Sequence, residues 1–289
     1  MSTENSCIGH LESSLHQVFA SVRVPGEEYV YSPPNDLYGN LDEYCDEQHI
    51  SEPRPPLLVL GEVGSGKSAL VANWCHRRSK SQARSRNEFV FFHSIGCTRH
   101  STKVTYLMRR LMTFLKKKFE LTRDVTSTND RLSWDLPRFL DLASKRGKII
   151  IVIDGVSWLE NDDGTDAGMM WLPLEFPPNV RVILSAAAPM SLEFTGSGTA
   201  SGDDSSPRKP RFITELERRQ MQVIRIKPLE RALSRSIIDS YIRKTVQSSS
   251  STHLSTPFLT ETADDDGRNK NVSSAGFMLF DTQVAEIVT

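Results

Sequence analysis

Cysteine is scarce in this chain of 289 residues, and the four cysteines lie far apart with no C-x-x-C pair. That spacing predicts reduced cysteines in a cytosolic setting and does not favour a disulfide framework or a structural zinc site. An excess of charge of one sign is also missing, because 35 basic and 36 acidic residues give a formal net charge of −1. Without a strong positive field, we expect neither nucleic acid nor an anionic membrane surface as a partner.

Long hydrophobic runs are absent as well. No window holds eighteen consecutive apolar residues, so we expect no membrane span. Residues 1–5, Met-Ser-Thr-Glu-Asn, offer neither a basic start nor an apolar stretch, so we expect no signal peptide and a cytoplasmic location. The guanine-reading pattern N-K-x-D is missing too, which favours adenine as the base of any bound nucleotide.

The most informative pattern that is present covers residues 61–68, Gly-Glu-Val-Gly-Ser-Gly-Lys-Ser, which match G-x-x-x-x-G-K-[ST]. Glycines let the backbone curl so that its N–H groups point at a phosphate chain. The lysine supplies a cation at the β- and γ-phosphates, and the serine offers a hydroxyl to Mg²⁺. The alternative is a glycine-rich turn that binds nothing. The predicted nucleotide-binding residues are Gly61, Gly64, Ser65, Gly66, Lys67, Ser68 and Ala69.

Alternating strand and helix patterns surround this loop. An apolar strand at 57–60 precedes it and a helix at 68–74 follows it, which places the phosphates at a helix N-terminus. Further strands are predicted at 89–93, 148–154, 180–185 and 221–226, and further helices at 10–23, 37–44, 104–115, 137–146 and 233–242. This order predicts an α/β fold, a three-layer P-loop NTPase with a mostly parallel sheet, a short helical N-terminal lead and a disordered C-terminal segment.

Composition also suggests a division of the chain. We expect a helical N-terminal lead at 1–50, a P-loop domain at 51–245, a low-complexity linker at 246–276 and the start of a further helical element at 277–289. Within the P-loop domain, the polar segment 195–210 is predicted to be flexible.

Two carboxylates are candidates for the chemistry of the site. Asp154 ends the strand at 148–154, where a P-loop site needs an acid for the Mg²⁺ shell, so Ser68 and Asp154 form the predicted metal site; the alternative is an aspartate that caps a turn. Glu160 is the candidate to orient a water for hydrolysis, although a surface acid is the simpler interpretation. Ser157 is a poor base, and the strand at 180–185 has its arginine, Arg181, at the wrong end. The sequence therefore predicts slow turnover.

Other polar and aromatic residues invite a function but have simpler explanations. His93, Cys97 and His100 suggest a metal, yet no second close ligand pair accompanies them, and zinc is not favoured. The four tryptophans, Trp74, Trp134, Trp158 and Trp171, are predicted to lie in the core or at domain contacts.

Several stretches in order resemble the NACHT-type ATPases of the STAND class, closest to the nephrocystin-like branch. They are residues 56–74 around the P-loop, 91–111, 137–140, 149–159, 171–173, 178–185 and the pair Pro228-Leu229 with the helix after it. The resemblance implies a scaffold switched by ATP or ADP with Mg²⁺, with repeat domains downstream that bind protein partners as yet unidentified. The chain ends before any such region, as a fragment would. The alternatives are an active P-loop ATPase or kinase, and a degenerate interaction domain that binds no nucleotide.

Overall fold

The fold is built on one five-stranded sheet. The computed structural model describes residues 14–20, 22–23, 33–46, 54–80, 88–187 and 211–251. The strands run in the order β2-β3-β4-β1-β5, and each neighbouring pair is parallel. Their bounds are β1 Leu57–Gly61, β2 Glu88–Ser94, β3 Lys148–Asp154, β4 Val180–Ala187 and β5 Gln222–Ile226.

Seven helices accompany the sheet in the described residues. The first, α1, covers residues 14–20. The others are α2 Asn35–Asp46, α3 Lys67–Lys80, α4 Val104–Lys118, α5 Leu132–Ser144, α6 Arg211–Arg218 and α7 Arg231–Ser251, and short 3-10 turns occur at His100–Thr102, Asn129–Arg131 and Val156–Trp158. In this part of the chain no helix is long and apolar enough to cross a membrane.

The two faces of the sheet are buried by different helices. Along β1, Leu57 and Val59 join a cluster with α2 and α3, whereas Leu58 and Leu60 join a larger cluster with α4, α5 and α6. Successive side chains of a strand point to opposite faces, so a continuously apolar strand is required where both faces are covered. The predicted three-layer α/β fold is therefore confirmed.

A buried ion cluster joins the layer of α2 and α3 to the sheet. The Arg78 side chain of α3 is 1% exposed and contacts Asp42 at 2.7 Å, Asp46 at 2.5 Å and Glu88 at 2.5 Å. These carboxylates lie on α2 and at the start of β2. A buried guanidinium needs such partners, because an uncompensated buried charge costs about 3–5 kcal/mol. The cluster therefore fixes α3, the helix that begins at the phosphate loop.

Several local predictions need correction. Helix α5 begins at Leu132 rather than at Pro137, which lies inside it. The proline forgoes one backbone hydrogen bond, and burial of Leu132 and Leu136 offsets that cost. Trp134 and Trp158 are 79% and 68% exposed, so they lie outside the core, and a role at domain contacts stays a prediction for them; Trp74 and Trp171 are buried, as predicted for core residues. Helix α6 had no counterpart in the sequence prediction.

Residues 1–241 form one compact unit and residues 242–289 a second. Of the second unit, the structure describes only the end of α7. The segments 195–210 and 277–289, and most of 246–276, lie outside the described residues, so the predictions made for them stay predictions.

Candidate nucleotide site

The loop after β1 has a conformation that requires glycine. Gly64 and Gly66 have φ angles of 79° and 90°, a region that side chains with a Cβ rarely adopt. At Gly61, an added Cβ would lie 2.8 Å from the carbonyl oxygen of Ile226 on the neighbouring strand β5. The backbone can therefore curl tightly over the end of the sheet. A cradle of this shape fits a phosphate chain.

Lys67 opens helix α3 at the end of this loop. Its Nζ donates to the carbonyl oxygen of Glu62 at 2.6 Å and lies 3.4 Å from Ser65 Oγ, so the ammonium group lies over the curled backbone. Burial lowers the pKa of Lys67, while the carboxylates of Asp154 and Glu62 act in the opposite direction. The positive end of the α3 dipole lies at the same place. Both features fit a polyanion bound in the loop.

Asp154 ends β3, the position that the sequence predicted, and its side chain is buried beside the loop. Its Oδ1 accepts hydrogen bonds from Ser68 Oγ at 3.1 Å and from Ser185 Oγ at 2.5 Å, and its Oδ2 accepts one from Ser94 Oγ at 3.4 Å. Ser68 and Asp154, far apart in sequence, thus meet at one edge of the sheet. A carboxylate next to a hydroxyl is a donor set that suits Mg²⁺, whose other ligands would be phosphate oxygens and waters.

Sequence reasoning missed the other hydroxyl groups around Asp154. Ser94 is the last residue of β2 and pairs in register with Asp154. Ser185 lies near the end of β4, where its Oγ also accepts the backbone N–H of Gly155 at 2.9 Å. The carboxyl ends of parallel strands share one edge, so a polar residue at the end of each apolar strand was the signal that could have found both serines.

Glu160 lies in a different local arrangement. Its Oε2 accepts a hydrogen bond from Lys103 Nζ at 2.9 Å, and its backbone N–H donates to the Thr102 carbonyl at 2.8 Å. The carboxylate is therefore engaged by an ammonium group, and its role in orienting water stays a prediction. Ser157 Oγ is buried, with no hydrogen-bond partner in the described part of the chain.

Arg181 lies at the start of β4, as predicted, and is committed to the backbone there. Its Nη1 donates to the carbonyl oxygens of Pro178 at 2.5 Å and Val180 at 3.0 Å. These contacts are at the amino-terminal edge of the sheet, opposite the phosphate loop. The polar group that β4 presents at the site edge is the Ser185 hydroxyl, which carries no charge.

His93, near the end of β2, and Cys97, which follows the strand, both have protein partners. His93 Nε2 lies 3.0 Å from the Ser101 carbonyl oxygen, and its Nδ1 lies 3.2 Å from Arg110 Nη1. Burial and the nearby Arg110 lower the pKa of His93 to about 3. Cys97 Sγ lies 3.1 Å from Nδ1 of His16 on α1, a contact that no sequence pattern predicted.

A parallel α/β sheet, a glycine-rich loop that leads into a helix, and a carboxylate hydrogen-bonded to the serine of that loop define a nucleotide-binding P-loop module. Comparison with known proteins agrees. A family model described as AAA ATPase domain matches residues 39–166.

Two curated proteins illustrate the similarity. Human nephrocystin-3 is 31% identical over 175 residues, which cover 60% of this chain and 12% of that protein. A TPR repeat-containing protein from Dictyostelium discoideum is 24% identical over 229 residues, which cover 66% of this chain and 12% of that protein. This chain thus spans 12% of the length of either relative.

Among solved structures, the Aeropyrum pernix ORC1 protein in complex with DNA is similar to this chain. The TM-score is 0.43 and the identity 14%, over 73% of this chain and 48% of that chain. A similarity of this size says nothing of what this chain binds.

Proposed function

We propose that this chain is an ATP-binding module of the NACHT-type STAND class, nephrocystin-like, that acts as a nucleotide-dependent switch or scaffold with slow or no hydrolysis. The observation that carries the proposal is the contact between Ser68 of the phosphate loop and Asp154 at the end of β3. It joins the phosphate cradle to a carboxylate, the arrangement that binding of a metal-chelated nucleotide needs. The similarity to nephrocystin-3 supports the subclass.

The site geometry supports an assignment of the binding residues. The backbone of the loop from Gly61 to Ala69 would hold the phosphates of ATP or ADP, with Lys67 as the cation beside them. Ser68 and Asp154 would hold Mg²⁺, which when bound neutralises charge on the phosphates. The loop is open to solvent on one side, with Glu62, Val63 and Gly64 exposed, so a nucleotide has a path into it.

The surroundings of the loop support the proposal of slow turnover. Efficient P-loop hydrolysis combines a group that orients water with an arginine that meets the developing charge. Here Ser157 cannot act as an effective base, Glu160 is paired with Lys103, and Arg181 lies at the opposite edge. A missing arginine of this kind costs about 10³–10⁵ in rate. A site that holds its nucleotide without rapid hydrolysis suits a switch or scaffold better than a metabolic enzyme.

The remaining assignments extend the same proposal. We take 51–245 as the nucleotide-binding domain, preceded by the helical lead at 1–50 and followed by a linker at 246–276 and the start of another element at 277–289. The near-zero net charge supports protein partners rather than nucleic acid. A cytoplasmic location fits the small number of cysteines and the lack of a C-x-x-C pair in the sequence.

Phosphate release at saturating Mg·ATP tests the slow-turnover proposal. We expect turnover far below the roughly 1–100 s⁻¹ of kinases, on a scale of minutes to hours. Glu160→Gln should remove most of the remaining activity, and Glu175→Gln, the same change at an exposed acid, should leave it unchanged. Turnover of several per second without a partner would instead favour the alternative, an active ATPase, and phosphate transfer to an added acceptor would favour a kinase.

A further inference from the structure

Helix α1 reaches the nucleotide site through one buried histidine. His16 is 1% exposed, and its Nδ1 accepts the backbone N–H of Ser94 at 3.1 Å. The turn after α1 is tied to the phosphate-loop helix, because Asn73 Nδ2 of α3 donates to the Arg23 carbonyl at 2.7 Å. The segment at 14–23 therefore contacts two of the elements that form the site.

The hydrogen bond from the Ser94 amide determines which nitrogen of the His16 ring carries the proton. Since Nδ1 accepts an amide proton, the proton of the neutral imidazole is on Nε2. Burial, with contributions from Arg110 and His93, lowers the pKa of His16 to about 2. The centroids of the His16 and His93 rings lie 4.4 Å apart, so the uncharged His16 ring packs against a second buried ring.

The contact continues from Ser94 to the acid of the site. The Ser94 hydroxyl donates to Asp154 Oδ2 at 3.4 Å, and the next backbone N–H, of Ile95, donates to the Asp154 carbonyl at 2.9 Å. Oδ1 has hydroxyl donors from Ser68 and Ser185, so the Ser94 hydroxyl at the end of β2 is the described donor to the other carboxylate oxygen. The end of β2 thus contributes to how the carboxylate is oriented toward the loop.

We propose that His16 is a positioning residue of the nucleotide site: from α1 it anchors the end of β2 through the Ser94 amide and so orients Asp154 toward the cation that accompanies the nucleotide. The proposal rests on the proposed function and assigns to the N-terminal helix a role in metal-dependent binding. By thermodynamic linkage, binding of the cation and packing of α1 against the end of β2 stabilise each other.

Two variants of His16 separate positioning from simple packing. His16→Asn places an amide oxygen near the position of Nδ1 and can still accept the Ser94 N–H, whereas His16→Leu cannot. Binding of a fluorescent ATP analogue is measured as Mg²⁺ is raised. We expect the Mg²⁺ midpoint to rise about tenfold in His16→Leu, the lower end of the cost of losing an outer-shell contact, and to stay near the wild-type value in His16→Asn. Binding in EDTA should be equal in all three proteins.

A second measurement needs no variant at His16. Cys97 is half-buried beside the His16 ring, so its alkylation by N-ethylmaleimide, followed by mass spectrometry of its peptide, reports on the seating of α1. In the wild type, Mg·ATP should slow this alkylation about fivefold or more, and ATP with EDTA should not.

The outcomes are distinct. Three results would each overturn the positioning role: equal Mg²⁺ midpoints in wild type and a folded His16→Leu protein, equal changes of the midpoint in His16→Leu and His16→Asn, or a rate of Cys97 alkylation that Mg·ATP does not change. Nucleotide binding by the wild type would in each case leave the proposed function standing. A wild type that binds no ATP analogue at any Mg²⁺ concentration would overturn both.

Discussion

At the scale of single residues, the carboxylate of Asp154 is held on both of its oxygens by hydroxyl groups from three different elements. Ser68 comes from α3, Ser94 from β2 and Ser185 from β4. A buried carboxylate needs such donors, and a hydrogen bond to a charged group contributes about 1.5–3 kcal/mol. The same contacts place the charge beside the phosphate loop, where the proposed function assigns it a cation.

Asp154→Asn should therefore weaken the Mg²⁺ dependence of nucleotide binding more than binding itself. The amide keeps the size of the carboxylate but loses the charge that a divalent cation needs, and we expect the Mg²⁺ midpoint to rise about tenfold or more. Titration of Mg²⁺ at fixed ATP measures this, with Asp130→Asn as the same change at an exposed site. If Asp154→Asn and wild type share one midpoint, Asp154 is not in the metal shell.

At the scale of elements, the docking of α1 and α4 against the end of β2 predicts a dependence of stability on pH. Burial lowers the pKa values of His16 and His93 to about 2 and about 3, whereas a histidine in the unfolded chain titrates near 6.5. Below about pH 6.5 the unfolded chain binds protons that the folded chain does not. The free energy of unfolding should therefore fall between pH 7 and pH 5, by about 2 kcal/mol for each histidine.

Urea denaturation at pH 7 and pH 5 measures this loss. His16→Asn removes one of the two buried rings, so the loss between the two pH values should shrink by about 2 kcal/mol relative to wild type. The exposed His100 provides the matched control, His100→Asn. A pH dependence that is identical in wild type and His16→Asn would show that His16 is not held neutral in the fold.

The elements differ in how far the sequence could predict them. Strands such as β3 were evident because a strand with both faces covered is a continuous apolar run. The predicted start of helix α5 was too late because Pro137 was interpreted as its first residue. In the structure, burial of residues before the proline outweighs the backbone hydrogen bond that the proline cannot donate. The exposure of Trp134 and Trp158 was not predictable, because residue type alone does not show which side of an element faces solvent.

The candidate site was only partly predictable for a related reason. The phosphate loop and Asp154 follow from local patterns, since the loop needs glycines at fixed spacing and the acid ends an apolar strand. The hydroxyl contacts from Ser94 and Ser185 depend on the strand order and register. The contact from His16 depends on where α1 docks. No spacing in the sequence encodes these long-range arrangements.

At the scale of the whole molecule, the parallel sheet of the three-layer fold brings the phosphate loop, Asp154 and the ends of β2 and β4 to one edge. The similarity to human nephrocystin-3 covers 12% of the length of that protein. In the proposed function, this module binds ATP through the phosphate loop.

The most direct test of that claim is the stabilisation of the protein by Mg·ATP in thermal unfolding. At about 100 times its dissociation constant, a ligand that binds only the folded state adds roughly 2.7 kcal/mol. Wild type and Lys80→Ala, a lysine exposed at the far end of the same helix, should both show this gain, and Lys67→Ala should show almost none. A Lys67→Ala protein stabilised as strongly as wild type, or a wild type that Mg·ATP does not stabilise, would contradict the account.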